Sequence, residues 1–219
     1  MARGTDFGGI HSHRDLNLIQ QKVDIQPAEP KLNLVNITGA DGTKDMSELP
    51  GGRLSYKDRK VTWTFALYPG ANWDAKHRQV SNALNGKRCR ITLDTDPGYY
   101  FIGRLTVKKY NVNKVLRQII VEATCMPWIY KQDQTVVTAT LTASSAFTTL
   151  TLRNEKKPAI PTIEVTAATT IRWKGAEVAI SAGSYTSLDI ELLEGDNILE
   201  VKTSASSCTV KITYQEGSL

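Results

Sequence analysis

The run Val61-Thr-Trp-Thr-Phe-Ala-Leu67 constrains this chain more than any other stretch. Val61, Trp63, Phe65 and Leu67 occupy every second position, with Thr62, Thr64 and Ala66 between them. A period of two sets four large apolar side chains on one face of a strand, so the chain must build a sheet with one buried face. The same alternation returns at Cys89-Ile91-Leu93, Phe101-Gly103-Leu105-Val107 and Val115-Arg117-Ile119-Val121. Turns are expected at Asp96-Pro97-Gly98 and Asn111-Val112-Asn113, residue types that supply bends which β-branched side chains resist.

A different period interrupts the strands once. Trp73, His77, Val80 and Leu84 recur at helical spacing, Asn72 stands where an N-cap would, and Asn85-Gly86 offers the left-handed stop that ends many helices. A helix of about three turns lying on a sheet is predicted. The first part of the chain is therefore read as mainly β, a sandwich-like domain with one α-helix. Ahead of it, Pro27, Pro30 and Pro50 flank the segment Leu32-Asn-Leu-Val-Asn-Ile37, and a polar stretch over residues 39–52 follows. Two short strands with that excursion between them predict a long, protruding hairpin. A polar hairpin has little to pack on its own domain, so contact with another molecule is expected.

Beyond Lys131 the composition changes. Threonine, serine, alanine and valine dominate, and aromatic residues thin out. Short strands are predicted over 136–142, 148–153, 160–165, 170–173, 187–193, 197–203 and 209–214. Turns between them come from Glu155-Lys-Lys-Pro158, Lys174-Gly175, Ala182-Gly183 and Glu194-Gly-Asp-Asn197. That spacing predicts a second domain built as an antiparallel β-sandwich. With 219 residues the chain has room for two domains that each bury a core without disulfides. The boundary is placed at 130–133, giving domains 1–130 and 134–219.

Three cysteines, Cys89, Cys125 and Cys208, are too far apart for metal-ligand spacing, and their odd number argues against a disulfide framework. Cys89 and Cys125 stand in phase with apolar neighbours and are expected to behave as small core residues. No apolar run approaches the roughly 20 residues that span a bilayer. The opening Met1-Ala-Arg-Gly-Thr-Asp-Phe7 lacks the apolar stretch of a secretory signal, which predicts synthesis in the cytoplasm without membrane insertion. A net charge of +5 raises nucleic-acid binding. Yet Lys87-Arg-Cys-Arg90, Lys108-Lys109 and Lys156-Lys157 are short clusters at predicted strand ends, where charge also deters edge-to-edge aggregation.

No catalytic, cofactor or metal constellation emerges. His11 and His13 form an H-x-H pair, but the only other histidine is His77, so a metal site would lack further ligands. The pair is read as part of a polar N-terminal segment. Asp94 and Asp96 look like a fragment of a calcium loop without the additional oxygens that ion needs. Asp45 and Glu48 stand three apart, and Ser47 beside them fits a capping box as well as the carboxylates fit acid–base work. Nucleophile elbows and phosphate-cradling glycine loops are missing. The chain is read as a non-enzyme.

Several of these residues form a larger pattern. Asp41-Gly42, Asp45-Met46-Ser47-Glu48, Tyr56, Arg59 and the Trp63/Phe65 strand come first. The Asn85-Gly86 helix stop, Tyr99-Tyr-Phe-Ile-Gly103-Arg-Leu105 and the closing Met126-Pro127-Trp128 follow. Together they resemble the N-terminal domain of distal tail proteins from long-tailed, non-contractile phages, over residues 7–131. Ile171-Arg-Trp-Lys-Gly175, Glu194-Gly-Asp-Asn197 and Ile212-Thr-Tyr-Gln-Glu-Gly217 look like the galectin-like β-sandwich that often follows in that family.

The resemblance implies a structural virion protein at the tail tip, a hub subunit that closes into a hexameric ring through its N-terminal domain. Such a ring joins the major tail tube protein to a tail-associated lysin or tail-fibre hub and to baseplate or receptor-binding proteins. DNA passes through its channel without specific binding. The family's belt hairpin falls here on Asp41, Asp45, Met46, Glu48 and Leu49, the expected oligomer-interface residues, with Met46 and Leu49 covered by a neighbour.

A reading from another class is a carbohydrate-binding adhesin module that contacts the host cell surface. Trp173 is its candidate glycan contact, because an aromatic face stacks on a sugar ring. Against it, Trp173 is in phase with Ile171, which favours core packing. Galectin-type recognition also uses a histidine, and none occurs after His77.

Overall fold

The stripe Val61, Trp63, Phe65 and Leu67 is buried, the first three side chains completely, while the residues between them are half-buried. The computed structural model describes residues 3–48, 52–108, 118–186 and 189–219, and divides them between the units Met1–Ile129 and Tyr130–Leu219. The architecture is mainly β with one helix, built from antiparallel sheets.

The first unit contains β1 (Thr5–Phe7), β2 (Leu18–Ile25), β3 (Leu34–Asn36), β4 (Thr43–Asp45), β5 (Arg59–Leu67), α1 (Trp73–Leu84), β6 (Arg88–Leu93), β7 (Asp96–Val107) and β8 (Gln118–Cys125). Its main sheet runs β1-β6-β7-β8-β5-β2. Phe7 on edge strand β1 meets Trp63 on β5 edge-on, with ring centroids 5.1 Å apart. Four strand steps separate them, which in a flat sheet is about 19 Å. The sheet is therefore rolled on itself, beyond the ordinary twist of open sheets. Leu18, Ile91, Leu105, Ile119, Val121 and Cys125 fill its concave face, and Val80 and Leu84 of α1 pack into the same core.

The helix begins and ends where the sequence places it. The Asn72 side chain accepts a hydrogen bond from the Ala75 amide at 3.0 Å, and Gly86 takes a positive φ of 80° just past the last turn. The turn between β6 and β7 differs from expectation. It sits at Asp94-Thr95, because Leu93 pairs with Asp96 and the Asp96-Pro97-Gly98 segment already belongs to β7. The expected turn at 111–113 and the start of the 115–121 alternation lie outside the described residues.

The second unit holds β10 (Thr135–Leu141), β11 (Thr148–Asn154), β12 (Thr162–Val165), β13 (Thr169–Trp173), β14 (Ala176–Ile180), β15 (Gly183–Tyr185), β16 (Gly195–Thr203) and β17 (Cys208–Tyr214). Two four-stranded sheets, β10-β17-β12-β15 and β11-β16-β13-β14, enclose a core that includes Leu152, Ile163, Leu199, Val201, Val210 and Ile212. Lys174 and Gly175 both take positive φ, 49° and 86°, giving the tight turn that joins β13 to β14.

Two expectations in this unit are corrected. Within 187–193 only Asp189 onward is described, and Ile190 and Leu192 are buried as a strand would bury them. The backbone there makes one isolated bridge instead of a strand: Leu192 exchanges both hydrogen bonds with Ala159, and asparagine side chains bond the residues beside it. Asn197 accepts from the Leu193 amide at 2.9 Å and donates to the Leu193 carbonyl at 2.8 Å, while Asn154 donates to the Leu192 carbonyl at 3.2 Å. The residues expected as a turn at 194–197 accordingly open β16 at Gly195, opposite Asn154.

β9 (Ile129–Lys131) pairs with the C-terminal β18 (Gly217–Ser218). Lys131 is thus tied down rather than opening a linker, and the exposed residues at the junction are Gln132, Asp133 and Gln134. The buried Glu216 carboxylate accepts from Lys131 Nζ at 2.9 Å, from the Glu155 amide at 3.1 Å and from the Thr135 hydroxyl. Burial alone would push its pKa up, but these bonds and the Lys131 charge outweigh that and hold it below the usual carboxylate value.

Gly103 lies on the concave face of β7, where a Cβ would stand 2.5 Å from Cys125 Sγ and 3.0 Å from the Thr124 carbonyl. Gly103→Ala is expected to destabilise the first unit by about 1–3 kcal/mol through overpacking, read as a lowered melting temperature. An unchanged melting curve would show that β7 and β8 have room to separate.

Candidate assembly surface

β3 and β4 pair only with each other, in the register Leu34 with Asp45, Val35 with Lys44 and Asn36 with Thr43. The hairpin expected from the sequence is present, but its loop is shorter. β4 lies inside the stretch read as polar excursion, and Gly39 and Gly42 take the positive φ values of 84° and 75° that the bend requires.

The root is hydrogen-bonded in layers. Lys31 donates its amide to the Ser55 carbonyl and Lys57 donates to that of Glu29, each at 2.8 Å. One layer further out, the Met46 amide bonds the Asn33 carbonyl at 2.9 Å, and the Asn33 amide bonds Ser47 Oγ at 2.8 Å. Ser47 in turn donates its hydroxyl and its amide to the Asp45 carboxylate. Ser47 therefore closes a hairpin instead of capping a helix. Its side-chain hydrogen bond, followed by its backbone one, holds the Asp45 pKa below the ordinary 3.8.

Beneath the root, Tyr56 meets Trp128 edge-on with centroids 5.5 Å apart, and the guanidinium of the buried Arg59 donates to the Pro127 carbonyl. These contacts explain why Tyr56, Arg59 and the Pro127-Trp128 pair occur together: they fix the platform from which the hairpin leaves.

All six residues of β3 and β4 are exposed. The outgoing limb is the apolar one, with Leu32 58%, Leu34 50%, Val35 38% and Ile37 49% exposed. Of the residues singled out from the sequence, Asp41, Asp45 and Glu48 are exposed and Met46 is half-buried, while Leu49 lies outside the described residues. The interface residues expected from the sequence lie on the return limb, whereas this apolar stripe lies on the outgoing one. Its signal was present in Leu32-Asn-Leu-Val-Asn-Ile37, which has no complementary apolar run to cover it. An isolated two-stranded ribbon is marginal in water, so one that exposes apolar side chains on both faces calls for a covering surface.

Elsewhere the candidates resolve into structural roles. His11 is buried, contrary to the polar segment expected there. Its Nδ1 accepts the amides of His13 and Arg14 at 3.2 and 3.1 Å, so the ring proton sits on Nε2, 3.2 Å from the Asp94 carboxylate. Asp94 also accepts the Gly4 amide at 2.8 Å and so latches β1 to the end of β6. Among the described residues, no group of three or more His, Cys, Asp or Glu is placed to hold a metal ion. Cys125 is buried, which pushes its thiol pKa up to about 12, whereas Cys89 is only half-buried. Trp173 is partly buried against the sandwich core, with the Lys174 ammonium 5.4 Å from its ring centroid.

Ser47→Ala removes the bonds that tie Asn33 to Asp45 and is expected to loosen the root by about 1 kcal/mol, roughly a fivefold faster amide exchange at Asn33. The Asp45 contribution has a defined sign. A depressed carboxylate pKa stabilises the closed root above the ordinary value, and that gain is lost as pH falls through the lowered one. The Asn33 amide should therefore keep its extra protection over Ser47→Ala at neutral pH and lose it in acid; equal protection in both proteins at pH 7 would contradict this account.

No protein-family model matches the chain, and no curated protein matches its sequence. Among solved structures the chain is similar to SPP1 Dit (gp 19.1), described as a paradigm of the hub adsorption apparatus in phages that infect Gram-positive bacteria. That likeness covers 100% of both chains, with a TM-score of 0.64 and 14% sequence identity. A de novo designed double-stranded β-helix matches 39% of this chain over 100% of its own, at a TM-score of 0.27 and 9% identity, too low to carry an argument. The chain thus has a Dit-like fold along its whole length.

Proposed function

We propose that this chain is the distal tail hub subunit of a long-tailed, non-contractile phage, closing into a ring of six through its first unit. The observation that carries this reading is the β3–β4 hairpin, held firmly at its root yet exposing Leu34, Val35 and Ile37, its strands paired only with each other among the described residues. The Dit-like fold supports the same role. Function here is assembly. Each hairpin covers its apolar stripe on the next subunit, and the repeated contact closes a ring with a central channel through which DNA passes. One face of the ring receives the tail tube protein, and the other holds the tail-associated lysin or fibre hub with its baseplate or receptor-binding proteins. The second unit, a sandwich with its own core, serves as a docking surface. The protein is a virion component without catalytic activity.

Light scattering of the purified protein at micromolar and higher concentrations is expected to report about six protomers or a multiple of that. A chain ending at Ile129 should form the ring alone, and a 130–219 chain should stay monomeric. A monomer at every concentration, also with tail tube protein present, would contradict the proposal; oligomers of the 130–219 chain would move the ring role to the other unit.

A further inference from the structure

The first unit carries a second unsatisfied surface. Arg88 lies directly opposite Arg104, Arg104 opposite Thr124, and Thr124 opposite Lys60, so one row across four adjacent strands presents three cations. All three are exposed, as is Arg90 further along β6. Like charges placed directly across two strands destabilise a sheet, and this row carries such a pair. Local contacts relieve it only in part. Arg104 donates to the Gly86 carbonyl at 2.7 Å, Arg88 leans on Met126 Sδ at 3.7 Å, and Arg90 stacks over the Tyr100 ring at 4.6 Å. Among the described residues none of Lys60, Arg88, Arg90 or Arg104 forms an ion pair.

Beside the row runs an open groove of about 480 Å³, lined by Asp58, Arg88, Ile102, Arg104, Thr124 and Met126. Its lining mixes cations with the half-buried Ile102 and the exposed Met126. A bare phosphate backbone would leave those apolar groups uncovered and would face Asp58. A polypeptide bearing carboxylates, apolar side chains and a cation to face Asp58 matches the whole lining. This molecule owns such a polypeptide: the hairpin, whose return limb exposes Asp41, Asp45 and Glu48 against one cation, Lys44, and whose outgoing limb exposes Leu34, Val35 and Ile37. Its outgoing limb, from Lys31 to Ile37, reaches about 20 Å at ordinary strand rise, enough to cross onto a neighbouring subunit.

We infer that the basic row of Lys60, Arg88 and Arg104, with the Ile102–Met126 groove beside it, is the receptor for the β3–β4 hairpin of a second copy of this chain. The inference rests on the ring reading above and gives the ring its handed, head-to-tail contact: one subunit's acidic and apolar hairpin enters the next subunit's basic and apolar groove. Two different surfaces meet, so the contact is heterologous and propagates around a closed ring. The charges set partner register and speed of encounter, while the apolar contacts supply most of the burial.

The experiment is a charge exchange read by analytical ultracentrifugation. Arg88→Glu with Arg104→Glu should raise the concentration for half-assembly at least tenfold over the unmodified chain, and Asp41→Lys with Glu48→Lys should do the same. All four together should recover at least half of the lost assembly on a logarithmic scale. Assembly unchanged by Arg88→Glu with Arg104→Glu, or no recovery in the fourfold variant, overturns the inference while leaving the ring intact. Monomers of the unmodified chain at every concentration overturn the ring reading itself. Should a variant fail to fold by circular dichroism, carbodiimide cross-linking of the unmodified ring decides. A cross-link joining Lys60 to Asp41 or Glu48 of another subunit is expected, and its absence among intersubunit cross-links counts against the receptor assignment.

Discussion

The first unit depends on one large constraint, the seating of Trp63 against Phe7. Their strands stand at well-separated places in the sheet, yet the rings touch at 5.1 Å. That contact requires the sheet to roll until one edge approaches the strand next to its opposite edge, which gives a concave face deep enough for Leu105, Ile119 and Val121. The start of β5 is pinned on the buried face, where Arg59, in phase with Val61 and Trp63, donates to the Pro127 carbonyl, and beside it Tyr56 meets Trp128.

From that pinned end the hairpin leaves. Among the described residues, Glu29 and Lys31 below Asn33 bond to Lys57 and Ser55 at the start of the body, while the limbs beyond Asn33 bond to each other. A rigid root with an exposed apolar ribbon is the arrangement expected of an arm that waits for a partner. A mobile loop would lack the Ser47–Asp45 closure, and a self-contained strand would have its apolar side inward. The same unit displays a row of cations that form no ion pair among the described residues. One molecule thus carries two incomplete surfaces of opposite character, and a ring is the closed assembly in which both are completed by identical copies.

Much of this was legible in the residues, because period-2 stripes such as Val61 to Leu67 and the Asn72 to Gly86 helix encode their own geometry. The sandwich strands ending on Leu141, Asn154 and Tyr214 were legible for the same reason. Four features were not. Ala176–Ile180 forms an edge strand with four of its five residues exposed, so it has no buried stripe to reveal it. Residues 189–193 bury Ile190 and Leu192 in strand phase, but the backbone pairs through a single Leu192–Ala159 bridge while Asn197 bonds Leu193, which no local pattern announces. The basic row exists only through register, since Lys60, Arg88 and Arg104 come from three strands far apart in the chain. His11 looked like half of a metal motif because its true partner, Asp94, lies 83 residues away.

The central claim is that the apolar limb of the hairpin holds the subunits together. Replacing Leu34, Val35 and Ile37 with threonine keeps strand propensity while removing most of the exposed carbon. The mass of that triple variant in solution, measured where the unmodified chain forms rings, is the most direct test. The account predicts a folded monomer with an unaltered melting temperature. Rings of the same size, forming over the same concentration range, would contradict it.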